Sequence, residues 1–293
     1  MEHEGNDHLF LFLGFGSIAT AQDIRPSFAA VANIEHNSGS GHVSANHPRP
    51  LFQTVEAVIR EYGWVFDYGD PPYFSTFDLT DDTDPRWRAS HPNSKGVVRV
   101  AGSAFQSTFP EPVGETTREQ VLKKIISDYN LSGNPGKFAL RKEGENRYAV
   151  IGVAVKDDAG KDKDARVLLD TLMTVPEAHR SAFDTLNLVL STLSTTSGVN
   201  VHASMLSTNG IGDPDIVVGG KGVPARTLLL QTLSAANKHR TIRWELRYSP
   251  DGRNTFCLFI PCWKLVRPAA RLTDSDYRNP QALLASKYAA NTD

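Results

Sequence analysis

Four residues near the C-terminal third, Gly219, Gly220, Lys221 and Gly222, have the types and spacing that could cradle a phosphate. They follow the apolar run Ile216-Val217-Val218 and precede an amphipathic segment opened by Pro224. Free backbone N–H groups at a helix N-terminus attract anions. The Walker pattern is absent, because no Gly-Lys-Ser/Thr follows at the required spacing. The literal Gly-x-x-Gly of single-strand-binding KH modules is there, but that loop joins two helices, whereas this one joins a strand to a helix. A tight strand-to-helix turn is the plainer expectation.

Other chemistry-bearing residues are dispersed. No serine elbow, Cys/His arrangement or pair of carboxylates in an apolar setting occurs, so no catalytic residue is nominated. Asp81, Asp82 and Asp84 cluster without the glycine and glutamate of a calcium loop and read as a solvated acidic loop. Of the nine histidines, His36, His42 and His47 fall close together, without the fixed partners that a metal site needs. Cys257 and Cys262 lie on one expected strand with opposite parity and read as free thiols, too few for zinc. Neither a metal nor a cofactor is expected.

Composition is that of an ordinary globular chain, with 40% hydrophobic and 22% charged residues in 293. A net charge of −2 lacks the basic footprint of a nucleic-acid-coating protein. At the N-terminus, Leu9–Ile18 is an apolar run too short to span a membrane, followed by Ala19-Thr20-Ala21, a small-x-small cleavage pattern. Cleavage would fall before Gln22. The preceding residues carry Glu2, Glu4 and Asp7 and no positive charge, against the usual leader.

The elements that must position these residues fall into two similar sets. Residues 1–21 read as a signal peptide and 22–41 as a flexible linker. A first module spans 42–156: a helix from Pro50 to Gly63, a strand at Trp64–Tyr68, an exposed polar insertion at 73–95 and a strand at Val97–Ala101. A loop over Phe105–Gly114, a helix opened by the capping box Thr116–Glu119, and a hairpin of Phe138–Arg141 with Tyr148–Val155 complete it. The charged stretch Asp157–Asp164 reads as a hinge at 157–165. The second module, 166–265, opens with a strand at Val167–Val175. It repeats the order with a helix to Gly198, a short strand at Val199–Ala203, the strand and helix around the glycines, and a hairpin. In that hairpin Ile242, Trp244, Leu246 and Tyr248 alternate with Arg243, Glu245 and Arg247, the period of a half-buried strand. Residues 266–293 form a tail. The fold class is α+β: two small helix-on-sheet sandwich modules, each ordered helix-strand-strand-helix-strand-strand.

The segments PLFQTVEAVIREYGWVFDY, FDTLNLVLSTLSTTSGVNV and DIVVGGKGVPARTLLLQTLSAANKHRTIRWELRYSPDGRNTFCLFIP resemble the short N-terminal domain shared by secretins and TonB-dependent receptors. The resemblance implies a small α/β sandwich exposed in the periplasm and used for protein–protein contacts in the cell envelope, with an envelope protein as partner and no enzymatic activity. The second half matches that pattern throughout; the first departs from it in the 73–95 insertion, and no secretin ring or receptor barrel pattern follows. The alternative is an intracellular single-stranded nucleic-acid-binding protein using Gly219–Gly222 with Arg226, Arg240, Arg243 and Arg247.

Overall fold

The computed structural model describes residues 32–94, 96–111, 117–144, 147–204, 211, 214–237, 242–249 and 255–261. The leader-like run, its Ala19, Ala21 and Gln22, the C-terminal tail, Cys262 and Arg240 lie outside them.

The first half runs β1 (Asn33–Asn37), β2 (Ser40–Asn46), α1 (Pro50–Tyr62) and β3 (Phe66–Gly69). Next come β4 (Leu79–Asp81), α2 (Pro85–Ser90) and β5 (Val98–Val100). It ends with β6 (Ala104–Pro110), α3 (Arg118–Leu131), β7 (Lys137–Gly144), β8 (Arg147–Lys156) and β9 (Asp162–Asp164). Helix α1 forms where Pro50 supplies a preset φ in the first turn, and it stops at Gly63, whose φ of 65° lets its N–H reach the Ile59 carbonyl. After a 3-10 turn at Leu168–Asp170, the second half runs β10 (Leu172–Ser181), α4 (Ala182–Ser197), β11 (Asn200–Ala203) and β12 (Asp215–Pro224). It closes with α5 (Ala225–Ala236), β13 (Glu245–Ser249) and β14 (Thr255–Phe259). Ser181 caps α4 through the Asp184 N–H, and Gly198, at φ 72°, ends it.

The chain is α+β, and its halves share one plan. With β1, β9 and the β4-α2-β5 insertion between β3 and β6 set aside, each has a strand, a helix, two strands, a second helix and a hairpin in order: β2-α1-β3-β6-α3-β7-β8 and β10-α4-β11-β12-α5-β13-β14. The first and third strands of each set pair antiparallel, β2 with β6 and β10 with β12. The other three form a mixed sheet, ordered β3-β8-β7 and β11-β14-β13, and these two sheets join through parallel pairing of β13 with β3. The registers coincide as well. Leu140 faces Val150 as Leu246 faces Leu258, and Phe66 faces Tyr148 as Val201 faces Phe256.

Side-chain alternation then places the helices of the two halves on opposite faces of the shared sheet. Tyr68, Tyr148 and Val150 point into a core with α1 and α3. Ala149 and Ile151, on the reverse face of β8, belong to the core of α4, α5 and β13. Each half therefore covers the back of the other's sheet.

Several sequence expectations are corrected. Residues 33–41 of the expected linker hold β1 and the start of β2, paired from Asn33↔Ser44 to Asn37↔Ser40. The expected loop over Phe105–Gly114 is largely β6, where Phe105, Ser107 and Phe109 alternate inward. Only two of those three inward positions are apolar, which hides the period. The strand expected at Val167–Val175 begins five residues later and extends to Ser181. The 157–165 hinge is a tight turn, with the Asp157 N–H bonded to the Lys161 carbonyl, leading into β9 on the edge of β8. The 73–95 insertion is exposed over α2 but is anchored. Tyr73 is buried, and the Asp78 carboxylate accepts the Lys156 N–H at 2.7 Å and the Gly136 N–H at 3.4 Å.

Candidate functional site: the buried seam between the halves

Charged residues concentrate where β13 meets β3. The backbone ladder is short there. The Tyr68 N–H donates to the Trp244 carbonyl at 3.1 Å and the Asp70 N–H to the Leu246 carbonyl at 2.8 Å. Two carboxylates from the β3 segment extend it at either end of β13. Asp67, fully buried, accepts the Trp244 N–H at 2.8 Å and is gripped by Arg147 through Nε at 2.6 Å and Nη2 at 2.9 Å. Asp70 accepts the Tyr248 N–H at 3.0 Å, the Tyr68 hydroxyl at 2.8 Å and Arg49 Nε at 2.8 Å. Both arginines also reach across the seam, Arg147 to the Ile242 carbonyl at 3.0 Å and Arg49 to the Tyr248 carbonyl at 2.5 Å.

The flanks continue the pattern. On one face Arg243 pairs with Glu56 of α1 and with Glu245, and Arg247 pairs with Glu245. The Arg247 guanidinium is sandwiched between the Phe52 and Phe259 rings at 4.2 and 4.4 Å. On the other face Arg226 of α5 bonds Glu143 at 2.5 Å and Asp170 at 3.0 Å, while Arg141 holds Asp170 with both nitrogens. A small cleft lined by Asp70, Gly152, Leu168, Arg226 and Trp244 opens beside this group.

Burial pushes the Asp67 carboxyl up to about 7, against the pull of Arg147. Burial likewise raises Glu56, opposed by Arg243. The seam carboxylates are well engaged: Asp67 accepts three donors and Asp70 three. That arrangement holds two sheets in register.

The sequence-nominated residues lie elsewhere. Gly219, Gly220, Lys221 and Gly222 sit inside strand β12, with Gly220 paired to Val175, and not in a loop before the helix. Gly219 is required by packing. A Cβ there would meet the Glu177 Cα at 2.5 Å, because β10 bulges toward β12 between Val175 and Ala178. Gly219→Ala is expected to lower stability by about 1–3 kcal/mol through that overlap, measured by urea unfolding. Lys221→Ala, at an exposed position of the same strand, stays within about 0.5 kcal/mol of the parent. A binding loop would instead leave stability unchanged in both.

Arg226, Arg243 and Arg247 of the nucleic-acid alternative are each held by carboxylates. The half-buried strand pattern at 242–248 is also corrected. Arg243 and Glu245 are buried because α1 covers their face. Asp81 and Asp82 pair with Arg88 and Arg99, and Asp84 caps α2. His36 lies between Glu61 and Glu111, and His42 bonds Thr108. Among the described residues, no group of three or more His, Cys, Asp or Glu is placed to hold a metal ion. Cys257 is a free, half-buried thiol that burial pushes up.

Asp67 and Asp70 went unnoticed in the sequence. The available signal was a carboxylate in the middle of Trp64-Val65-Phe66-Asp67-Tyr68, where an apolar strand leaves an acid no ordinary place. No family model, no curated protein and no solved structure matches the chain. No helix among the described residues is long and apolar enough to cross a membrane.

Proposed function

We propose that this chain is a non-enzymatic protein–protein interaction protein of the cell envelope, exported to the periplasm and built from two modules like the short N-terminal domain of secretins and TonB-dependent receptors. The observation that carries the reading is the doubled plan. With β1, β9 and the β4-α2-β5 insertion of the first half set aside, each half has two helices, an antiparallel strand pair and a mixed three-stranded sheet ending in a hairpin. The quoted segments follow that order of helix, strand, strand, helix and hairpin. The seam supports the same reading, since its carboxylates are spent on joining the halves, which suits a rigid binding body better than a catalyst. Export is supported by the apolar run Leu9–Ile18 and Ala19-Thr20-Ala21 ahead of Gln22.

The test is to determine the mature N-terminus and cell fraction of the protein in its native host, followed by crosslinking in intact cells. A chain beginning near Gln22 that crosslinks to an envelope protein is expected. An intact Met1 in the cytosol sinks the reading.

A further inference from the structure

The joint between the halves is of a kind that need not stop at two. It pairs unlike edges: the hairpin strand β13 of one half meets the strand β3 that follows the first helix of the other, in parallel. Such a heterologous contact leaves one edge of each kind open at the ends. The open ends are β7, which corresponds to β13, and β11, which corresponds to β3. Among the described residues, no strand pairs with the outer side of either.

The outward peptide groups are trimmed in an informative way. On β7, the Asn130 side chain takes the Phe138 N–H at 2.9 Å and donates to its carbonyl at 2.8 Å. On β11, Ser194 does the same for Val201 at 2.9 and 3.1 Å. Strand alternation then leaves Leu140 and Ala203 as the next outward residues. Leu140 corresponds to Leu246 and Ala203 to Tyr68, the positions whose peptide groups make the internal ladder. The Val201 cap blocks nothing in this geometry, because the equivalent Phe66 lies beyond the register pairs Glu245↔Tyr68 and Leu246↔Gly69. The Phe138 carbonyl keeps a second lone pair.

A sheet face points the same way. Asp67, Ala149 and Ile151 are buried by the other half. Their equivalents at the β11 end are His202, Cys257 and Phe259; His202 is exposed and the other two are only half-buried.

We propose that copies of this chain associate head to tail, the outer edge of β7 in one copy pairing in parallel with the outer edge of β11 in the next, so that the sheet continues from chain to chain. The association is reversible and weaker than the internal joint, because His202 stands where Asp67 does and Thr255 where Arg147 does, so the buried ion pair is not repeated. Self-association does not depend on where the protein acts. A cytosolic protein that assembles leaves this inference standing, and an exported monomer with an envelope partner removes this inference alone.

The test uses the full chain in sedimentation velocity over a concentration series up to the solubility limit. The average mass is expected to rise past that of a dimer without a plateau. Leu140→Pro and Ala203→Pro each remove an outward N–H from an edge strand, where proline is tolerated, and each abolishes the rise. Mixing the two variants restores association but halts it at the dimer, since each keeps the edge that the other lacks. If either variant fails to fold by circular dichroism, amide exchange in the parent chain decides: exchange at Leu140 and Ala203 slows as concentration rises. A parent that stays monomeric, a closed symmetric dimer, association that survives both variants, or exchange at these amides independent of concentration overturns the proposal.

Discussion

Asp67→Asn lowers the unfolding free energy by about 3–5 kcal/mol near neutral pH, the usual cost of removing one partner from a buried ion pair. Asparagine keeps one oxygen for the Trp244 N–H but turns an NH2 group toward Arg147 Nε, which now approaches from 2.6 Å with a donor and no acceptor. Arg147 keeps its Nη2 on that oxygen and on the Ile242 carbonyl, with Glu143 at 3.7 Å, but its Nε loses the carboxylate oxygen that it bonded. Urea unfolding measures the loss. The pH dependence is a sharper check. The carboxyl ionises near 3.8 in the unfolded chain and is raised to about 7 in the fold, so the folded state binds the extra proton between these values. Its contribution is fully present below about 3.8 and disappears as the pH rises through about 7. Each pH unit in that window is worth at most ~1.4 kcal/mol. The deficit of Asp67→Asn therefore widens as the pH is lowered from neutral into the window. A deficit that narrows instead would show that Arg147 and the Trp244 N–H hold the carboxyl ionised throughout.

The sequence discloses the elements that have one clean face and hides those covered on both. Helices α1 and α4 are legible because their ends carry Pro50, Gly63, Ser181 and Gly198 and their buried positions recur every three or four residues. The 242–248 stretch alternates apolar with charged residues and so reads as a strand with one wet face. In the structure its charged face lies under α1, with Glu56 and Phe52 supplying an ion pair and an aromatic platform. Nothing local to residues 242–248 announces a cover that comes from residues 50–62. The glycines of β12 mislead for a related reason. Gly219 answers a bulge in β10, more than forty residues away in sequence, so its meaning is tertiary and a local reading turns it into a loop. The doubled order of elements was readable, but the way the halves join was not. Parallel pairing of β13 with β3 rests on Asp67 and Asp70; Asp67 has aromatic neighbours that suggest burial without naming what it binds, and Asp70, between Gly69 and Pro71, reads as part of a turn.

The charged segment at 157–164 invites cutting the chain into two independent domains, and the shared core predicts what happens if that is done. A fragment of residues 157–293 is expected to show no cooperative thermal transition. Tyr73, Val100, Ile151 and Val155 of the first half are buried in the core that α4, α5 and β13 organise. At about 1.5–3 kcal/mol for each large apolar side chain, removing them withdraws on the order of 6–12 kcal/mol of burial. That matches the ~5–15 kcal/mol that a whole domain has to spare. The cut also leaves the Trp244 and Tyr248 N–H groups without Asp67 and Asp70, and the β13 backbone without its neighbour. Circular dichroism and the dispersion of amide resonances report the result. Adding residues 1–156 as a separate fragment restores the transition, because the missing surface is supplied in trans. A dispersed spectrum and a cooperative melt from the second half alone would mean that its core closes without the first half, and that the seam joins two finished domains.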